Sequence, residues 1–208
     1  MGGLVKLILI TVLLTTGLLI VIKSFDYYDP DFGKGYLSDK KEVFEGIFKY
    51  GLYAHILSVP FIFLIGTAQI FLRYEFTKGR LHAALGKVYV YLILFVSAPG
   101  AFVLSFYAFG GMLSKASFLT LTILWAWFTF QGFAKGRRKE FGSHQQFMIR
   151  SYVLTLSAIN LRIISFIFIH FFDFRGALAY TIVAWLSWLP FLILTELLLR
   201  YRFSKKPC

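Results

Sequence analysis

His55, His82, His144 and His170 are the only histidines of the chain, and each lies inside or at the end of a long apolar run. Arg73, Arg150 and Arg162 stand in or beside the same runs, and Gln69 adds a side-chain amide. Imidazoles from facing helices are the axial ligands of b-type haem, and guanidinium groups suit its propionates or any other anion. Spacing turns these residues into a pattern. A helix advances about 100° per residue, so positions eighteen apart return to one face. His144 and Arg162 are eighteen apart, as are His55 and Arg73. Ser151, Thr155 and Ala158 fall near the line from His144 to Arg162, and Ser165 follows it. Gly51, His55, Ser58, Gly66, Gln69 and Arg73 form a second stripe, and His82, Gly86, Tyr89 and Gly100 a third.

These stripes need helices in a membrane to carry them. Of 208 residues, 58% are hydrophobic, 20% aromatic and only 15% charged, with a mean hydropathy of +0.71. A soluble domain is about a quarter charged. Six runs are long enough to cross a bilayer as helices, at about 4–22, 49–72, 82–108, 115–134, 146–170 and 177–199. The apolar runs are continuous rather than alternating, which excludes a β-barrel. The sequence therefore predicts an all-α polytopic membrane bundle, one integral membrane domain over residues 1–208 with an outer loop at 23–48. The first run follows Lys6 and precedes no small-residue cleavage site, so it reads as an uncleaved helix. One cysteine allows neither an internal disulfide nor a cysteine metal cage.

The net charge of +12 is a topology signal rather than a mark of nucleic-acid binding. Segment 23–49 sets five lysines against six acids, whereas 73–87, 135–150 and 200–206 carry four, five and four bases with at most one acid each. Basic clusters in alternate connections place both termini in the cytoplasm. His55 then lies near the outer face with His170, while His82 and His144 lie at inner ends. Pro60, Pro99 and Pro190 fall within spans, where they kink helices and release carbonyls. Trp125, Trp127, Trp185 and Trp188 lie too far inside their spans for an interfacial belt, and most are expected to pack in the interior.

Three stretches carry a family resemblance. "YGLYAHILSVPFIFLIGTAQIFLR", "GRLHAALGKVYVYLILFVSAPGAF" and "SHQQFMIRSYVLTLSAINLRI" resemble blocks of a bacterial multi-pass membrane family, domain of unknown function 2306, over roughly residues 45 to 165. The resemblance implies a polytopic protein of the bacterial inner membrane. It marks His55, Gln69, Arg73, Arg80, His82, Gly86, His144, Arg150 and Arg162, and it implies no particular activity. "LHAALG", through His82, is also similar to a stretch that opens a helix in cytochrome b561-type proteins.

Several readings of the stripes follow. In the first, a haem b or a metal is held by histidines paired by leaflet, His55 with His170 or His82 with His144. Arg73, Arg150, Arg162 and Gln69 then lie close by, and the protein transfers electrons. His144 and His170 are twenty-six residues apart, roughly 39 Å along a helix, so two haems on that span would sit at opposite faces. In the second reading, Arg162 and His55 grip the headgroup of a lipid or quinone between helices. In the third, the protein is a non-catalytic accessory subunit of a membrane complex. Its partners are membrane lipid and other membrane subunits, with no nucleic acid. Against all three stands a structural role, in which the histidines at headgroup depth bond backbone carbonyls and Arg150 snorkels to the inner surface. Arg162 is expected to face the bundle interior and to find an acceptor there, because an ionised group facing lipid costs about 2.5–3.5 kcal/mol or more. Glu196, near the inner end of the last span, is poorly placed to be that acceptor. Without a deep acid in spans two, three or five, an ion-coupled carrier is disfavoured. No nucleophile elbow, HExxH, P-loop or carboxylate pair points to a hydrolase or nucleotide-driven enzyme.

Overall fold

The computed structural model describes residues 3–27, 30–33, 37, 40–71 and 79–204. Among these the regular structure is helical, with no strand. Helix α1 (Gly3–Ser24) is 22 residues long, and α2 (Gly46–Phe71) carries Pro60 in its interior. Helix α3 (Arg80–Tyr91) runs through a π-helical turn, Leu92–Ser97, into α4 (Ala98–Ser105). Then come α5 (Met112–Arg137), α6 (Phe141–Thr155), α7 (Ser157–Phe172), α8 (Ala177–Leu186) and α9 (Leu189–Ser204).

Among the described residues, five segments are long and apolar enough to cross a membrane: Gly46–Ile70, Arg80–Ser105, Met112–Arg137, Phe141–Phe172 and Ala177–Arg202. They coincide with the second to sixth expected spans. The first expected span is helical as α1, which is not one of these five.

The chain forms two units, 1–103 and 104–208. In the first, α2 packs against α1, α3 and the π turn; in the second, α5 lies along α6, with α8 on α5 and α9 on α6. The joints between helices have local causes. Gly110 and Gly111, at φ 90° and 86°, take the left-handed turn into α5, and Gly176 at φ 91° does the same for α8. The π turn arises beside Pro99, which has no N–H to donate and whose ring would crowd the carbonyl of Phe95. There the N–H of Ala98 reaches back five residues to the carbonyl of Ile93. Pro190 likewise cannot donate to Leu186, and the last span divides at Ser187–Trp188.

The fifth span departs from the uninterrupted helix expected. It divides at Leu156, where ψ is −12°, although no proline is near. Just before Leu156 the Thr155 hydroxyl donates to the carbonyl of Ser151, one turn back, at 3.1 Å, a bond that Thr129 makes to Trp125 within the undivided α5 as well. An eighteen-residue alignment holds only on an unbroken helix, so residues beyond Leu156 leave the line drawn from His144.

Candidate functional site

In the first unit His55 meets the π turn. Its Nδ1 lies 3.2 Å from the carbonyl oxygen of Ser97 and 3.0 Å from the Ser97 hydroxyl. A protonated Nδ1 donates to the carbonyl, and a bare Nδ1 accepts from the hydroxyl, so Ser97 can hold the ring in either tautomer. The approach is close because both helices carry glycine here. A Cβ built on Gly100 would stand 2.5 Å from the carbonyl oxygen of Gly51 and 3.1 Å from the backbone nitrogen of His55. The glycines of the two stripes thus bring backbones together, and leave no slot for a flat ring between Gly51 and Gly100.

At the other end of α2, Gln69 donates from Nε2 to the carbonyl of His82 at 2.9 Å, and a Cβ built on Gly86 would stand 3.8 Å from the same amide nitrogen. Among the described residues, Gln69 Oε1 is the one buried side-chain polar atom with no hydrogen-bond partner. Arg80 is exposed and the His82 side chain half-buried. Arg73 lies outside the described residues. Ser97, the partner of His55, is fifteen residues beyond His82 along one pass, roughly 22 Å at 1.5 Å per residue. His55 and His82 are therefore too far apart to share an iron.

In the second unit the predicted polar face of the fifth span is realised up to its break. His144 Nδ1 reaches the carbonyl of Gly132 at 2.7 Å, and Met148 packs on that same glycine. The hydroxyls of Ser151 and Thr129 meet at 2.7 Å, and Trp125 donates from Nε1 to the Thr155 hydroxyl at 3.1 Å. These contacts run in order along α5 and α6, and Ser151, Thr155, Thr129 and Trp125 are all buried. Trp188, also buried, donates to the Ser117 hydroxyl, whereas Trp127 is exposed and does not pack in the interior.

Arg150 does not snorkel. Its Nε and Nη2 donate to the two carboxylate oxygens of Glu196, the second bond at 2.9 Å, joining α6 to α9. The rings of Phe147 and Phe128 lie 5.3 and 5.9 Å from the guanidinium carbon. Arg162, expected to face the interior, is exposed on α7 and donates from Nη1 to the carbonyl of Ala158, one turn back, at 2.9 Å. Between His144 and Arg162 the span divides at Leu156. His170 is exposed and its ring lies 4.2 Å from that of Phe166. His144 and His170 stand near opposite ends of one 32-residue pass and cannot meet on one iron.

Sequence reasoning missed two partners. Glu196 is poorly placed for Arg162, yet it is the one acid within the last apolar span, and a lone intramembrane acid calls for a cation. Ser97 carried no signal of its own. Proline two residues later was the clue, since the π turn it induces turns Ser97 toward His55.

Among the described residues no three histidine, cysteine or acidic side chains group as a metal site. No curated protein and no solved structure matches the chain, and the cytochrome b561 likeness gains no support. A family model described as "Predicted membrane protein (DUF2306)" matches residues 52–199, which include all four histidines and both Arg150 and Glu196, and the chain belongs to that family.

Proposed function

We propose that the protein is a non-catalytic component of the bacterial inner membrane, an accessory subunit whose intramembrane polar residues fasten its own helices. It crosses the membrane six times with both termini in the cytoplasm, α1 supplying the sixth crossing. The observation that supports this reading is the way the singled-out side chains are engaged. His55, His144 and Gln69 each turn a nitrogen toward a backbone carbonyl of a neighbouring helix, and Arg150 takes the Glu196 carboxylate. Contacts of this kind stabilise helix pairs in lipid by about 0.6 kcal/mol each, up to about 2.

A haem b or metal redox role is the competing reading, and one observation favours it. An Nδ1–H bond to a carbonyl is also the bond that orients an Nε2 ligand. Asparagine separates the two, because its Nδ2 takes the place of Nδ1 while nothing replaces Nε2. If the histidines fasten helices, His55→Asn and His144→Asn keep folded yield close to wild type, and His55→Ala and His144→Ala lower it. If they ligate, asparagine is as damaging as alanine. Crosslinking in native membranes tests the subunit claim. Capture of a second membrane polypeptide is expected, and crosslinks only within this chain contradict it.

A further inference from the structure

Arg162 is exposed on α7, and its place along the span makes that exposure costly. It stands twelve residues beyond Arg150 and eleven before Asp173, roughly 16–18 Å on either side at 1.5 Å per residue. The hydrocarbon core of a bilayer is about 30 Å thick, so this arginine lies near its centre. Its Nη1 donates to the carbonyl of Ala158, one turn back, at 2.9 Å, and the side chain therefore lies along its own helix. Neither membrane surface is within its reach.

The face around it suits a second helix. Ala158, Ser165, Phe166 and Ile169 fall on the same side of α7 as Arg162. Phe166 and Ile169 are exposed. Alanine and serine let another backbone approach, and the two large side chains offer it contact area.

Charge and depth identify the occupant. Ionisable groups inside a membrane pair with one another, so a guanidinium there suits a carboxylate. A lipid phosphate sits at headgroup level, half a bilayer away. A second copy of this chain has no acid to offer at this depth. Within the five spans and α1, Glu196 is the one carboxylate, and it is level with Arg150, to which it bonds. Copies related by an axis along the membrane normal keep each residue at its own depth, so the Glu196 of a copy does not come level with Arg162.

We propose that the Arg162 face of α7 docks a transmembrane helix of a different polypeptide, and that this helix carries an aspartate or glutamate near mid-membrane. The inference rests on the accessory-subunit reading, and it names the kind of subunit and the surface that takes it.

The test is photocrosslinking of the full-length protein in native membranes, with benzoylphenylalanine in place of Phe166 on this face. The same group in place of Phe130 or Leu197, exposed on α5 and α9, gives the comparison. From position 166 a second membrane polypeptide is expected, crosslinked within an apolar span that contains an acid. Arg162→Leu should lower that capture severalfold, and Arg162→Lys should keep most of it. Changing the acid of the captured span to its amide should also lower capture severalfold, which asks the question of an unaltered Arg162 should Arg162→Leu fail to fold. A captured span without an acid, or undiminished capture by Arg162→Leu, overturns the proposal. So do crosslinks from position 166 that reach only lipid, a second copy or this chain itself. Capture from 130 or 197 with none from 166 overturns it and leaves the subunit reading standing, whereas no second polypeptide from any position contradicts both.

Discussion

Arg150 and Glu196 join α6 to α9 through two parallel hydrogen bonds, with the arginine side chain 14% and the glutamate side chain 34% exposed. The planar fork of arginine matches a carboxylate in this way, which lysine cannot do. Removing one partner leaves the other charge within an apolar span. Arg150→Gln or Glu196→Leu should each destabilise the protein by about 1–3 kcal/mol, read as a lower midpoint of thermal unfolding in detergent. The exchange Arg150→Glu with Glu196→Arg should recover part of the loss. An exchange no better than the sum of its single changes would show that the pair does not act as one unit.

Gly100 makes a sharper steric prediction. Its added Cβ meets the backbone of Gly51 at 2.5 Å, while a Cβ on Gly51 meets the Val103 side chain at 3.1 Å and one on Gly142 meets nothing within 4 Å. Backbone cannot rotate aside as a side chain can. Gly100→Ala should cost about 1–3 kcal/mol, Gly51→Ala less, and Gly142→Ala almost nothing. Thermal unfolding of the three variants checks the order.

Arg162→Leu should reduce folded yield less than Arg150→Leu, because Arg162 is exposed whereas Arg150 pairs with Glu196 across the α6–α9 contact. Expression followed by size-exclusion chromatography compares them. A larger loss for Arg162 would place its guanidinium in an interior contact after all.

The contrast between the two arginines shows what was legible in the sequence. Helical spans were legible, because apolar runs of about twenty residues have few other solutions in lipid. So was the polar face of α6, since His144, Ser151 and Thr155 lie on one uninterrupted helix. The exposure of Arg162 was not, because it lies beyond a division at Leu156 that no proline announces. Arg150 and Glu196 are forty-six residues apart, and nothing local to either specifies the other. The Ser97 contact was hidden for a similar reason: it depends on the width of a turn rather than on the identity of a residue.

The six-crossing topology is tested by labelling. Single cysteines at positions 35 and 138, in a Cys208→Ser background, should react with an impermeant maleimide only from the outside and only from the cytoplasmic side respectively. Reaction of position 138 from outside contradicts the orientation drawn from the basic clusters.

The fastening role of the histidines stands or falls on what the purified protein absorbs. Full-length protein from haem-replete cells should show no Soret band and no difference between oxidised and dithionite-reduced spectra, and His55→Ala should alter stability without altering the visible spectrum. A Soret band that sharpens and shifts on reduction in the wild type, and that is lost in both His55→Ala and His55→Asn, would contradict the account and make His55 an iron ligand.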